Sequence, residues 1–186
     1  MKLLTILHDQ YQDIEYSVVM SILDISKTFD TMDVYNPDGQ DRIYGQHKTS
    51  YADVSVKDLS KVSHKDYDAI FILGGKDVRR LADDQKTLKF IKDFYTSGKD
   101  LFVLCFASNV LFDSGIINEE KYVGYPLQNQ KRGKNFTETI GIVRDKNLFT
   151  GAGAFSSFEL GFTIVDHFQG EKKREQIKEI VKGFNI

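Results

Sequence analysis

Gly98-Lys-Asp-Leu-Phe-Val-Leu-Cys105-Phe-Ala-Ser-Asn-Val-Leu111 carries the clearest strand-to-helix signal in the chain. It opens with a glycine suited to ending a helix. Leu101 to Leu104 is a short apolar run with the length and composition of a strand buried on both faces. Cys105, the only cysteine, follows. Ala107, Val110 and Leu111 then recur at helical spacing. Cys105 is therefore predicted where a buried parallel strand becomes a helix. Ligands and chemistry collect at the carboxyl ends of strands in open α/β sheets. A helix amino terminus at that point stabilises an anion and lowers a thiol pKa. Free cysteine is also a common small buried hydrophobe, so this stretch alone leaves reactivity and packing both open.

Working outward, 186 residues with 41% hydrophobic and 28% charged content predict one soluble globular domain, residues 1–186, with room for a substantial core. A formal net charge of −2 gives no global attraction to nucleic acid or to an anionic membrane. A lone cysteine forms no internal disulfide, and no structural zinc spacing occurs. A reducing, cytoplasmic setting is expected. Met1-Lys2-Leu-Leu-Thr-Ile-Leu7 is too short and too soon interrupted by His8-Asp9 for a signal peptide, and no apolar run reaches membrane-spanning length.

Leu3 to Leu7 reads as the first strand, followed by a polar loop, His8 to Asp13. Ile14, Val18, Ile22 and Ile25, widened by Val19 and Leu23, predict a helix with that stripe buried. Glu15 falls in its first turn, where a carboxylate is electrostatically favoured, and helix-start chemistry accounts for it. Met32 to Tyr35 predicts a second strand closed by the turn Asn36-Pro37-Asp38-Gly39. Ile43-Tyr44 and Ala52 to Val56 are expected to pair as a small antiparallel excursion. His47 and His64 read as surface residues, since neither has a companion ligand at metal-binding spacing.

Ala69-Ile-Phe-Ile-Leu73 is a second clear buried strand, and it runs into Gly74-Gly75. A glycine pair there permits close backbone approach to a ligand, or serves as an ordinary turn. Asp83-Asp84 then opens a helix with Leu88, Ile91, Phe94 and Tyr95 on one face. After Ser114-Gly115, Tyr122 to Pro126 is extended, and Gln130 to Lys134 is a solvated basic loop without an aromatic platform. Thr139 to Val143 and Asn147 to Thr150 predict two more strands. Ser156-Ser-Phe-Glu159 has capping-box spacing and opens a helix bearing Phe158, Phe162, Val165 and Phe168, with His167 as a capping or surface residue near its end. A charged last helix presents Ile177, Ile180, Val181 and Phe184. Alternating strands and helices predict an α/β fold: a mostly parallel sheet with helices on both faces and a small antiparallel excursion, a flavodoxin-like three-layer sandwich. In it Glu15, Gly75 and Cys105 share one sheet edge.

This order of motifs resembles the ThiJ/PfpI family of the class I glutamine amidotransferase-like superfamily over nearly the whole chain. The resemblance is carried by Asp13-Ile-Glu15, Phe71-Ile-Leu-Gly-Gly75, Gly98-Lys99, Cys105, Asn147-Leu-Phe-Thr150 and Ser156-Ser-Phe-Glu159. It implies that Cys105 is a nucleophile at a strand-to-helix elbow and that Glu15 is the carboxylate contacting its thiol. Gly75 and Phe106 correspond to the oxyanion-hole N–H donors. A buried carboxyl beside a thiolate is pushed toward its protonated form, and such a thiolate attacks electrophilic carbon. Three departures stand out: Tyr125 where active members often carry a histidine, Val103 and Phe106 flanking the cysteine in place of small residues, and Ala152 where some relatives have arginine.

The resemblance implies hydrolase, hydratase, amidase-like or glyoxalase-type chemistry on a small-molecule substrate, and a homodimer. Peptidase chemistry is disfavoured by the incomplete nucleophile–base pair. The alternative is a redox or stress-response protein whose Cys105 oxidises without efficient turnover. An interaction protein with an inert Cys105 is the third reading. Neither an organic cofactor nor a metal is expected, and neither nucleic acid nor a membrane is an expected partner.

Overall fold

The computed structural model describes residues 1–183. Its elements, in chain order, are β1 (Lys2–Ile6), α1 (Asp13–Ser26), β2 (Thr31–Tyr35), β3 (Arg42–Tyr44), β4 (Tyr51–Asp53), β5 (Ala69–Ile72), α2 (Gln85–Thr96), β6 (Asp100–Leu104), α3 (Phe106–Asp113), β7 (Ile142–Asp145), β8 (Leu148–Gly151), α4 (Ser157–Gln169) and α5 (Glu171–Val181). The main sheet has the order β2-β1-β5-β6-β8-β7. All its pairings are parallel except β7 with β8. β3 and β4 form the separate antiparallel excursion. The flavodoxin-like α/β expectation is thus met. Among the described residues no helix is long and apolar enough to cross a membrane.

Strand alternation sorts the core into two layers. Leu4, Ile6, Ile70, Ile72, Leu101 and Val103 point to α2 and α3, where Ile91, Phe94 and Leu111 meet them. Leu3, Phe71, Phe102, Leu104 and Phe149 point the other way, to Val19 and Leu23 of α1 and to Leu160 and Ile164 of α4. Burying each such side chain contributes about 1.5–3 kcal/mol. Strands covered on both faces must be apolar throughout, which is why β5 and β6 read as continuous runs.

Several local expectations are corrected. In α1 the buried face is Glu15, Val19, Ile22, Leu23 and Ser26, while Ile14 is 53% exposed and Ile25 is also exposed. The buried face is rotated from the predicted stripe because Asp13 and Glu15 in the first turn point inward to accept backbone N–H groups. β7 begins at Ile142, not Thr139. The Ser156–Glu159 capping box does not form: Ser156 Oγ donates to the Ile140 carbonyl at 2.7 Å instead. α4 buries Leu160, Gly161, Ile164 and Val165, leaving Phe158 51% exposed. Gly161 lets α4 approach Ile22 of α1 closely, so the small residue, not the phenylalanine, marks the inner face. His167 is no helix cap; its Nε2 lies 2.9 Å from Asp100 Oδ2 at the start of β6. In α5 Ile177 is buried and Ile180 is exposed; Phe184 lies outside the described residues.

Candidate functional site

The carboxyl ends of β1, β5 and β6 deliver the loop to α1, the glycine pair and Cys105 to one edge of the sheet. Cys105 joins β6 to α3 with φ 61° and ψ −136°. A non-glycine residue rarely adopts this conformation and does so where surrounding structure enforces it. Its N–H donates to the Gly151 carbonyl at 2.8 Å, and its carbonyl accepts from the N–H groups of Ser108 and Tyr125, each at 3.2 Å. Those bonds tie the turn to β8, to its own helix and to the Tyr122–Pro126 segment. The side chain is held up at the sheet edge, 9% exposed.

Glu15, in the first turn of α1, is 0% exposed. Helix-start electrostatics do not account for that burial, and the expectation is corrected. Oε2 accepts the Gly74 N–H at 2.7 Å, and the carboxyl faces the Cys105 thiol. Among the described residues Oε1 has no partner. Burial raises the Glu15 pKa to about 7, against the opposing pull of the Gly74 N–H and of the thiol. Burial and the Glu15 charge push the Cys105 thiol up, while the Phe106 N–H pulls it down. A strand-to-helix position alone therefore does not lower this thiol. The two groups titrate as a pair, and each ionises more readily when the other keeps its proton.

Gly74 and Gly75 make the approach possible. A Cβ at Gly74 would lie 2.6 Å from Cys105 Cβ. Gly75 has φ +125°, and a Cβ there would meet the Gln10 carbonyl at 2.4 Å. Gly75 bridges Tyr11 through bonds from Gln12 N–H to the Gly74 carbonyl and from Lys76 N–H to the Gln10 carbonyl, so its own N–H is not spent on the bridge. Cys105, Gly75, Phe106 and Tyr125 line one cavity of about 290 Å³. The predicted site residues thus converge, with Glu15 packed against the thiol.

Tyr125 is 43% exposed at the cavity. Its backbone is gripped by Asn109, whose Oδ1 accepts the Tyr125 N–H at 2.8 Å and whose Nδ2 donates to the Tyr125 carbonyl at 3.2 Å. His8 is buried but does not line the cavity. Burial lowers its pKa, and among the described residues its Nδ1 has no partner. Ala152 lines a different, neighbouring cavity. Sequence reasoning missed the Gly74 N–H, Asn109, and the cavity residues Gln12, Gln46, Lys76 and Arg79. The basic cluster just after Gly75 was the one available signal for the last two.

A second carboxylate at the start of α1 anchors a segment that lines the cavity. Asp13 accepts the N–H groups of His47, Thr49 and Ser50 at 2.9–3.0 Å and the hydroxyls of Thr49 and Ser50. These bonds hold its pKa down to about 2 despite burial. They fix the β3–β4 turn, from which Gln46 reaches the cavity. Among the described residues no cluster of three or more His, Cys, Asp or Glu side chains is placed to hold a metal ion.

An uncharacterized protein of Mycoplasma genitalium, MG029, is 29% identical over 170 residues, covering 90% of this chain and 88% of that one. The Caenorhabditis elegans glutathione-independent glyoxalase DJR-1.2 is 26% identical over 127 residues, covering 67% and 66%. The solved structure of oxidized Toxoplasma gondii DJ-1 superposes with a TM-score of 0.84 at 19% identity, covering 100% of this chain and 99% of that one. That last likeness is one of fold. The family profile described as DJ-1/PfpI matches residues 1–167, and the chain belongs to that family.

Proposed function

We propose that this protein is a cysteine-dependent enzyme acting on a small electrophilic carbonyl compound, with hydrolase, hydratase or glyoxalase-type chemistry. The observation that carries the reading is the forced Cys105 turn beside a fully buried Glu15. Strain of this kind persists where it serves a site. In the reaction the Cys105 proton passes to Glu15. The thiolate sulfur then bonds to the carbonyl carbon, and the C=O π pair moves onto oxygen. Gly75 and Phe106 N–H groups hold that oxyanion, and the proton on Glu15 is available to neutralise it. With a 2-oxoaldehyde, the Glu15 carboxylate then moves the C1 proton to the adjacent carbonyl carbon, giving a 2-hydroxy thioester. Water oxygen bonds to the thioester carbon as the C–S bond breaks, a water proton returns to sulfur, and the 2-hydroxy acid leaves. Tyr125 occupies the place of a general acid/base and shapes the cavity.

The reading is supported by family membership and by the name of the Caenorhabditis elegans relative, a glyoxalase. Its test is turnover of a small 2-oxoaldehyde by the purified protein, with Cys105→Ser alongside. Cysteine-dependent loss of substrate is the expected result. Absence of both turnover and a thiol adduct detectable by mass spectrometry would refute it.

A redox role is favoured by one observation: among the described residues no imidazole lines the cavity, and oxidation of a thiolate needs no proton shuttle. Stepwise oxygen addition at Cys105 under dilute peroxide, without turnover, is its signature. A homodimer in a reducing, cytoplasmic setting completes the reading. The apolar residues Ile14, Ile25, Phe158 and Ile180 left exposed on α1, α4 and α5 support the dimer.

A further inference from the structure

The cavity over Cys105 has a charge pattern that the proposed chemistry does not use. Two of its lining residues are cations, Lys76 and Arg79, and among the described residues none of the lining groups is a carboxylate. Both cations are exposed and sit just after Gly75, at the carboxyl end of β5. Among the described residues neither is paired with a carboxylate. Their acidic neighbour Asp77 turns away to Arg80 and Gln10. The Arg79 guanidinium lies 4.9 Å from the centre of the Phe106 ring. Stacking of this kind holds a guanidinium in place and leaves its N–H edge free to bind. Gln12 and Gln46 add neutral hydrogen-bonding groups to the lining. In a chain with more acidic than basic residues, a dicationic cavity mouth without a counter-charge is a recognition feature.

The geometry points to a substrate that is anionic: a small electrophile carrying a carboxylate or phosphate group, its reacting carbon toward Cys105 and its anionic end toward Lys76 and Arg79. This inference deepens the cysteine-enzyme reading and rests on it. It also assigns Phe106 a second task, since its ring positions Arg79 while its N–H faces the reacting oxygen. Lys76 and Arg79 are specificity-determining residues rather than participants in bond making. A volume of about 290 Å³ limits the substrate to a compact molecule.

Alkylation of Cys105 tests the inference without requiring turnover. Iodoacetate and iodoacetamide react identically, the sulfur bonding to the CH2 carbon as iodide leaves, and differ in that only the first is an anion. Their rate ratio cancels the fraction of thiolate, so it reports the charge of the cavity alone. Relative to N-acetylcysteine amide, a neutral thiol, the folded protein is expected to favour iodoacetate by about fivefold or more, since one unit charge at contact distance in water is worth roughly that factor. Lys76→Gln and Arg79→Gln are each expected to lower the ratio by about twofold to fivefold, and salt to lower it further. Lys92→Gln, remote from the cavity, serves as the control and leaves the ratio unchanged. A wild-type ratio equal to that of N-acetylcysteine amide, or one insensitive to both cavity substitutions, overturns the inference while leaving a reactive cysteine intact. Failure of the underlying reading looks different: neither reagent modifies the folded protein although both modify it in denaturant, and the substrate assignment then falls with it.

Discussion

Gly74 and Cys105 are packed as closely as two residues on separate strand ends can be: an added Cβ on Gly74 would stand 2.7 Å from the cysteine sulfur and 3.2 Å from Glu15 Oε2. The same residue's N–H holds that carboxyl at 2.7 Å. One backbone unit therefore sets the separation of sulfur and carboxyl from below. Gly74→Ala is expected to displace one of them, lowering the Cys105 alkylation rate at neutral pH at least tenfold. Overpacking of this kind costs about 1–3 kcal/mol, which thermal unfolding would register. Unaltered alkylation in a folded Gly74→Ala protein would show that the close approach is irrelevant to the thiol.

Glu15 governs the ionisation of its neighbour. With the carboxyl present, burial raises Glu15 to about 7, so near neutral pH it is able to take the thiol's proton and to donate it back to the sulfur as a hydrogen bond. With Glu15→Gln the thiol titrates alone in a buried site, which favours the neutral form. The midpoint of alkylation against pH is expected to move up by a unit or more, cutting the rate at pH 7 about tenfold. Coincident profiles for the two proteins would remove Glu15 from the thiol's chemistry.

Stability should carry opposite signatures from the two carboxylates at the start of α1. Glu15 has a folded pKa of about 7, raised from 4.5, so the fold holds its proton more tightly than the unfolded chain does. Its contribution is fully present below 4.5 and is lost as pH rises toward 7, a change of roughly 2–3 kcal/mol. Asp13 is held down to about 2 from 3.8; its contribution is present above 3.8 and is lost as pH falls toward 2. Denaturant melts from pH 3 to 8 in wild type and Glu15→Gln would resolve them: the variant should lack the decline between pH 4.5 and 7. Parallel curves would contradict the buried-carboxyl account.

Loosening the β3–β4 turn needs only Asp13→Asn. The carboxamide cannot accept all five bonds that His47, Thr49 and Ser50 donate, and each donor left unsatisfied costs about 1–3 kcal/mol. Faster amide exchange at His47, Thr49 and Ser50 and new proteolytic cleavage there are expected, with the core strands still protected. Uniform exchange rates in the two proteins would mean that the turn is held by its own strands.

Tyr125→His places an imidazole at the cavity without disturbing the backbone, which Asn109 grips on both its N–H and its carbonyl. General acid–base catalysis supplies about a hundredfold or more when a base is well placed. Turnover of a small 2-oxoaldehyde should therefore rise at least tenfold. No gain in a folded variant would make cavity shape, set by the Phe106 ring, the limiting feature.

How far the chain could be read beforehand depends on the range of the interaction. Strands β5 and β6 were legible because burial on both faces leaves an uninterrupted apolar run. Cys105 was legible because that run stops at it. Glu15 was not, since a carboxylate in a first helical turn has the same sequence signature whether it meets solvent or a thiol, and its 0% exposure depends on where β5 and β6 place their ends. The same holds for Ser156, whose hydroxyl prefers the Ile140 carbonyl in a neighbouring loop to its own helix. His167 pairs with Asp100 across 67 residues of sequence, a contact no local pattern encodes. Ile14 and Phe158 misled for the converse reason: their periodicity is helical, but the face they mark is left open on this chain.

Asp13 and Glu15 stand two positions apart on one helix, the first tied to the β3–β4 turn and the second to the floor under Cys105. The start of α1 is in effect a shared footing for a wall and for a proton. Tilting it to widen the entrance would carry the carboxyl away from sulfur, so access and thiol activation are mechanically geared together. Anyone re-engineering the entrance should keep the amides of His47, Thr49 and Ser50 facing Asp13 and vary the chain elsewhere in the excursion, because only then does the gear stay still.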